Sequence, residues 1–466
     1  MKNNSLKLYR LAVAAAVIGT GFGASSAHAQ DATNDVQTLI QRINELEQKV
    51  KILERNREVD QEIAHDKPNV SPTVSLGANG LSVRSADSNF VMNVRGYIQA
   101  DARFYLGQKS VPDTFLLRRM RPIIEGTVFD KFDYRVMLDI ASGNVTGSSA
   151  GNNALIDDAY LNARFLPQFQ VQIGKYKSPV GLERLQSTAD LLFVETGFAT
   201  QLTPNYDFGA MIHNDYFNKP FGYAVGIFNG GADSASIDQD VNDEGKDVEG
   251  RLFAQPFLKT DFEPLRQLGF GAGGSVGTHG GPLPTYRTPG LQPFFTYATG
   301  VTASGQQYRV DPQAYYYWGP FGVEGEYILS RQTVRSAASG TTPLNNIAWQ
   351  VEASYLLTGE PNSFKATSAK RVAPLHPFGA GGLGAFEIVG RVQQLTMDRL
   401  ALSRYGTATS ARAETAWGVG LNWYLNANVK LNLDYEQTSF RNGSTSSSSV
   451  TARDEKIIFS RVQVVF

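Results

Sequence analysis

The stretch that decides the fold is Met92-Asn93-Val94-Arg95-Gly96-Tyr97-Ile98-Gln99-Ala100-Asp101-Ala102-Arg103-Phe104-Tyr105. At every second residue one face reads Met92, Val94, Gly96, Ile98, Ala100, Ala102 and Phe104. The other reads Asn93, Arg95, Tyr97, Gln99, Asp101, Arg103 and Tyr105. Side chains alternate across a β-strand, so one face suits lipid and the other water.

The same division recurs along the chain. Tyr134, Val136, Leu138 and Ile140 oppose Arg135 and Asp139; Ala159, Leu161, Ala163 and Phe165 oppose Asp158, Tyr160, Asn162 and Arg164. Trp349, Val351, Ala353 and Tyr355 oppose Gln350, Glu352 and Ser354; Val429, Leu431, Leu433 and Tyr435 oppose Lys430, Asn432, Asp434 and Glu436. A tilted membrane-crossing strand needs about ten such residues. A soluble β-sandwich also alternates. Aromatics near the ends of the apolar faces, and turns that alternate with long polar loops, favour the membrane barrel. So does the ending, where Ile458, Val462 and Val464 share a face in a last strand that closes on Phe466. That ending resembles the signal by which the barrel-assembly machinery recognises its substrates.

The chain has 466 residues, 19% of them charged, with 45 Gly, 27 Phe and 20 Tyr. About 377 residues follow position 90, enough for the 16–18 strands of an open lumen. The expected fold is an all-β transmembrane barrel of about 16 antiparallel strands over 89–466, preceded by a short coiled-coil helix. A lumen that wide holds water unless plugged, so a channel is the default function. A net charge of −1 without a basic tract points away from nucleic acid. The absence of Cys excludes disulfides, thiolate metal sites and Cys nucleophiles.

Lys2, Lys7 and Arg10, an apolar run from Leu11 to Ile18, and Ala27-His28-Ala29 have the form of an export signal over 1–29. The alternative, a membrane-anchoring helix, would need a longer apolar run. Val36, Leu39, Ile43, Leu46, Val50 and Leu53 then alternate three and four apart, an a/d seam that places a coiled-coil helix at 30–59. The alternative is a solvated amphipathic helix. Residues 60–88, with Pro68, Pro72, Gly77 and Gly80, read as a linker.

Several ordered stretches resemble the phosphate-selective porin O and P family of Gram-negative bacteria. They are Arg118-Arg119-Met120-Arg121 through Glu125-Gly126-Thr127 to Phe132-Asp133-Tyr134; Asp157-Asp158-Ala159-Tyr160-Leu161; and Gly174-Lys175-Tyr176-Lys177-Ser178-Pro179-Val180-Gly181-Leu182-Glu183. Tyr355-Leu356-Leu357-Thr358-Gly359-Glu360 and Gly384-Ala385-Phe386-Glu387-Ile388 to Arg391 follow. The resemblance implies a trimeric 16-stranded barrel in the outer membrane, with its third extracellular loop folded inward. It implies passive passage of small anions such as phosphate, aided by lumen arginines and by lysines at the narrow zone. Contact with outer-membrane lipid and lipopolysaccharide, and a periplasmic N-terminal helix, are expected of a chain so placed. Relatives often have a neutral residue where this chain has Lys175, which either raises local potential or snorkels at a strand end.

Parity places Arg95, Arg103, Arg119, Arg121, Arg135, Arg164, Arg391 and Arg461 toward the lumen as an anion path. A guanidinium can pass an oxyanion from one bidentate site to the next. Asp101, Glu125, Asp139 and Asp158 share that phase and could instead pair with them. Ser178 to Asp207, polar and apolar by turns, reads as the constriction loop, with Lys175, Lys177 and Arg184 as its cations. Asp233, Asp238, Asp240, Asp243, Glu244, Asp247 and Glu249 read as one external acidic loop, either solvated or binding divalent ions that bridge lipopolysaccharide. No nucleophile-and-base motif, metal-ligand set or phosphate loop occurs, so neither an enzyme nor a cofactor is expected. A weakly selective diffusion porin and an envelope tether built on the N-terminal helix are the competing functions.

Overall fold

The computed structural model describes residues 29–66, 71–107, 111–141, 156–214, 219–365, 368–443 and 449–466. The export signal expected at 1–29 lies outside them except for Ala29. The chain forms two units, residues 1–70 and 71–466.

In the first unit a single helix, α1, spans Ala29–Asp66. It outlasts the expected boundary at 59. The apolar seam does end at Arg57 and Asp60, but Glu58, Gln61, Glu62 and Ala64 are ordinary helix residues. Pro68 disfavours helix in the residue before it, so the helix stops just short. The expected linker 60–88 is revised further by a hairpin of strands Thr73–Gly77 and Gly80–Arg84, turned at Gly80 with φ 84°. The hairpin extends the barrel sheet, pairing Leu81 with Val94.

Sixteen strands make the barrel: β1 (Val91–Tyr105), β2 (Thr114–Val128), β3 (Phe132–Leu138), β4 (Ile156–Leu166), β5 (Phe169–Lys177), β6 (Tyr206–His213), β7 (Phe221–Phe228) and β8 (Asp247–Ala254). Then come β9 (Gln267–Gly281), β10 (Thr302–Trp318), β11 (Phe321–Ser336), β12 (Gly340–Leu356), β13 (Ala385–Thr396), β14 (Ala413–Tyr424), β15 (Val429–Arg441) and β16 (Glu455–Val465). Each pairs antiparallel with the next. β16 returns to β1 from Ile457↔Tyr105 to Val465↔Tyr97 and closes the cylinder. Phe466 completes the seam by exchanging backbone hydrogen bonds with Gly96 at 2.8 and 2.9 Å.

Burial follows the sequence parity. Phe104, Leu161, Val351 and Leu433 are exposed on the outer wall, while Gln99, Asp101, Glu352 and Asp434 are buried inside. An apolar exterior around a polar interior is the reverse of a soluble sandwich and fits a barrel whose outer solvent is lipid. No helix among the described residues is long and apolar enough to cross a membrane.

Wall height is uneven. β3 and β5 to β8 are seven to nine residues long, whereas β9 to β12 run to fifteen to seventeen. Short turns join strands at one rim and long segments at the other. The exceptions are 255–266 and 357–384, long on the turn rim, and 337–339, short on the loop rim.

Candidate channel interior

The third long loop, 178–205, folds into the lumen. It carries the four-residue helix α2 (Leu182–Leu185) and a helical turn at Phe198–Gln201. A buried loop must satisfy its backbone groups, and here the lumen wall does so. Carboxylates and amides of the wall accept from the loop amides. Leu182 N donates to Glu326 at 2.6 Å, Val194 N to Asp434 at 2.7 Å, Phe198 N to Gln393 at 2.7 Å and Ala199 N to Gln350 at 3.1 Å. Wall side chains donate to the loop carbonyls: Gln99 to Thr188, Gln463 to Ala189, Lys430 to Leu191, Asn422 to Leu192 and Arg461 to Val194.

An apolar core fills the part of the lumen beside β11 to β14. Phe198 and Leu202 of the loop pack with Phe294, Phe295, Met397 and Tyr405 of neighbouring segments, against Ile328, Leu344 and Leu395 of the wall. A cavity of about 670 Å3 remains, lined by Arg118, Arg119 and Arg121 of β2, by Lys177 and Arg184, and by segments 230–243 and 279–291.

Glu195 locks the loop to the wall. Its carboxylate accepts from Arg103 at 2.7 Å, from Arg118 at 2.7 and 3.2 Å, and from Arg119 at 3.5 Å. Burial pushes Glu195 up, but Arg118, Arg119, Arg103 and Arg461 outweigh it and hold the carboxyl well below the usual carboxylate range. Arg118 sits at a β-bulge. Gln99 faces Arg119 and Ala100 faces Leu117, so the extra residue turns a side chain of nominally lipid-facing parity inward. A matching bulge in β4 turns both Asp157 and Asp158 inward.

The parity-selected arginines are largely paired. Arg95 meets Glu125 at 2.8 Å and Arg135 meets Asp158 at 2.7 Å and Glu125 at 2.9 Å. Arg164 meets Asp133 at 2.8 Å, and Arg461 meets Asp101 at 2.6 Å. Arg391 holds Glu436 at 3.0 Å and stacks over Phe193, away from the cavity. Arg121 joins Asp139 and Asp157, each at 2.8 Å. The expected path through all of these residues therefore contracts. Of the arginines expected in it, Arg119 and Arg121 line the cavity; Arg95, Arg103, Arg135, Arg164, Arg391 and Arg461 do not.

The constriction cations divide as well. Lys175 occupies a register position opposite Ala159 and Phe208, on the outward parity, and is held by Asp238. It is not a cavity residue, which corrects its assignment to the constriction. Lys177 and Arg184 do line the cavity, and neither has a carboxylate within 4 Å among the described residues. Lys177 donates to the Gln186 carbonyl and lies 5.7 Å over the Tyr206 ring. Arg184 donates to Thr203 Oγ1 at 3.0 Å and to the Thr200 carbonyl. Burial pushes the Arg184 guanidinium down to about 10, so it stays charged at neutral pH.

The acidic segment is corrected too. Asp247 and Glu249 belong to β8 and are buried, and Asp233 folds inside, accepting from Tyr286 at 3.0 Å, Gln307 at 2.8 Å and Arg309 at 2.9 Å. Sequence reasoning passed over Arg118, Glu195 and Arg309. Arg309 was findable, since Gln307, Arg309, Asp311 and Gln313 alternate. Arg118 carried a signal as well, because an arginine at lipid-facing parity is costly at membrane depth.

A closed antiparallel barrel with an inward loop over a charged lumen is the architecture of an outer-membrane porin, a channel and not an enzyme. Residues 92–466 match the family described as "Phosphate-selective porin O and P", and the chain belongs to that family. It is 21% identical over 401 residues to Porin O of Pseudomonas aeruginosa, covering 76% of this chain and 84% of that one. The outer membrane channel DcaP of Acinetobacter baumannii superposes with a TM-score of 0.50 at 10% identity, over 82% of this chain and 99% of that one. An anion-selective porin from Comamonas acidovorans gives a TM-score of 0.47 at 12% identity, over 81% and 100%.

Proposed function

We propose that this outer-membrane channel passes small anions preferentially, phosphate-type oxyanions among them, and that the selecting charges are Lys177 at the end of β5 and Arg184 on the inward loop, with Arg119 lining the same cavity. One observation carries the reading: in a lumen where cations are mostly matched to carboxylates, Lys177 and Arg184 line the cavity with no carboxylate within 4 Å among the described residues. A fixed cation whose field is not cancelled nearby lowers the cost of bringing a hydrated anion into a narrow space. Oxyanion preference rests on the family's description and on the Arg fork.

A weakly selective diffusion porin is the second reading. It is favoured by Asp139, Asp157, Glu195 and Asp233, which line the same cavity. Reversal potentials under a KCl gradient separate the two. Lys177→Gln and Arg184→Gln should each lower the chloride-to-potassium permeability ratio by about two- to threefold, as expected for one charge acting through water. An unchanged ratio in both variants would leave the second reading standing.

The proposal includes a homotrimer. A hydrocarbon core about 30 Å thick takes about nine to eleven tilted residues per strand, and most of β3 and β5 to β8 fall short of that length. A low wall is best shielded by neighbouring copies. It also includes Phe466 as the contact read by the assembly machinery, lipopolysaccharide around the outer wall, and α1 in the periplasm.

A further inference from the structure

We infer that α1 binds copies of itself, joining chains in a parallel, in-register coiled coil. The helix is continuous over 38 residues, about 57 Å at 1.5 Å per residue. Along it Leu39, Ile43, Leu46, Val50 and Leu53 are all at least half exposed, from 50% at Val50 to 67% at Leu53. These are the a and d positions of one seam, and apolar side chains in that repeat need a facing surface.

The flanking charges identify that surface. Arg42 and Lys49 fall at g positions, Glu47 and Glu54 at e positions, and all four are exposed. In a parallel register a g residue faces the e residue five places on in the neighbouring helix. Arg42 of one copy then meets Glu47 of the next, and Lys49 meets Glu54. An antiparallel arrangement sets g against g and e against e, which opposes like charges at every pair. A membrane surface fits less well, because a helix that lies on lipid carries a wide apolar face opposite a basic one. Here the apolar seam is narrow, with only Ile40 and Ile52 as exposed large apolar residues outside it among the described side chains, and the polar face carries both signs of charge. The inference concerns α1 alone and stands or falls separately from the channel's selectivity.

The chain has no cysteine, so a single introduced one reports contact cleanly. In the full-length protein under mild oxidation, Leu39→Cys should cross-link between copies more than tenfold faster than Gln48→Cys on the opposite helix face. Adding Arg42→Glu and Lys49→Glu to the Leu39→Cys chain should suppress the cross-link. Co-expression with a Leu39→Cys chain carrying Glu47→Lys and Glu54→Lys should restore it between the two kinds of chain. Equal cross-linking at 39 and 48, or a preference for Leu39→Cys with Val50→Cys chains over Leu39→Cys with itself, would overturn the inference. So would insensitivity to the charge reversal.

Discussion

Glu195→Gln keeps the size of the side chain and removes its charge. The carboxylate is nearly fully buried and holds Arg103, Arg118 and Arg119 within 3.5 Å. Removing one partner from a buried ionic cluster costs about 3–5 kcal/mol. Two features place this site at the low end, about 3 kcal/mol: Asp101 still neutralises Arg461, and the cavity beside Arg118 and Arg119 admits water. That is on the order of a hundredfold in the balance between docked and undocked loop. The same change takes a negative charge away from the lumen. For an anion passing at about 7 Å, with the dielectric of water, this is worth about 0.6 kcal/mol, or roughly threefold in local anion occupancy. Single-channel recording in a planar bilayer should therefore show a chloride-to-potassium permeability ratio raised about threefold by this estimate, together with new open-channel noise from the loosened loop. An unchanged ratio with quiet current, or a shift toward potassium, would refute both the locking role of Glu195 and its electrostatic effect on the lumen.

Because the Glu195 carboxyl is held below its ordinary range, its contribution is fully present above that range and is lost only as pH falls through the depressed value. Mild acid should thus leave the difference in permeability ratio between wild type and Glu195→Gln unchanged. Arg184 keeps its charge across the accessible range, because a guanidinium holds its proton even where burial draws it down, so the drop in anion preference between wild type and Arg184→Gln should be the same at pH 6 and pH 9, read as reversal potential against pH. Gly174 has φ 131°, and a Cβ there would lie 2.2 Å from the Ala159 carbonyl oxygen. Gly174→Ala should lower the heat resistance of the folded barrel on gels by about 1–3 kcal/mol of stability. Deleting Phe466 removes both of its backbone hydrogen bonds to Gly96 and should reduce the folded fraction recovered from outer membranes.

The barrel was legible because its two solvents differ. Lipid outside and water inside impose a period of two on every strand, and the period survives without knowledge of which strands are neighbours. Closure itself was not visible: Asp101 and Arg461 meet across 360 residues of sequence. Pairing of the lumen arginines depends on that register, so residues chosen by parity formed a path on paper and a set of ion pairs in the molecule. Parity also failed at the two bulges, where Arg118 and Asp157 turn inward against the count. Gly174, with its unusual backbone, lies just before Lys175 and Lys177, which fall on the same strand parity yet end in different places. Lys177 is the last residue of β5 and reaches the cavity, whereas Lys175 sits within the wall. In α1 the seam marked where self-association can occur, not where the helix ends.

The most direct test of the account is chloride current through single wild-type channels, with inorganic phosphate titrated into the bath at constant ionic strength. The account predicts a reversal potential favouring chloride and a saturable block by phosphate that weakens in Lys177→Gln and Arg184→Gln. A near-neutral or potassium-favouring potential, with current indifferent to phosphate, would contradict it.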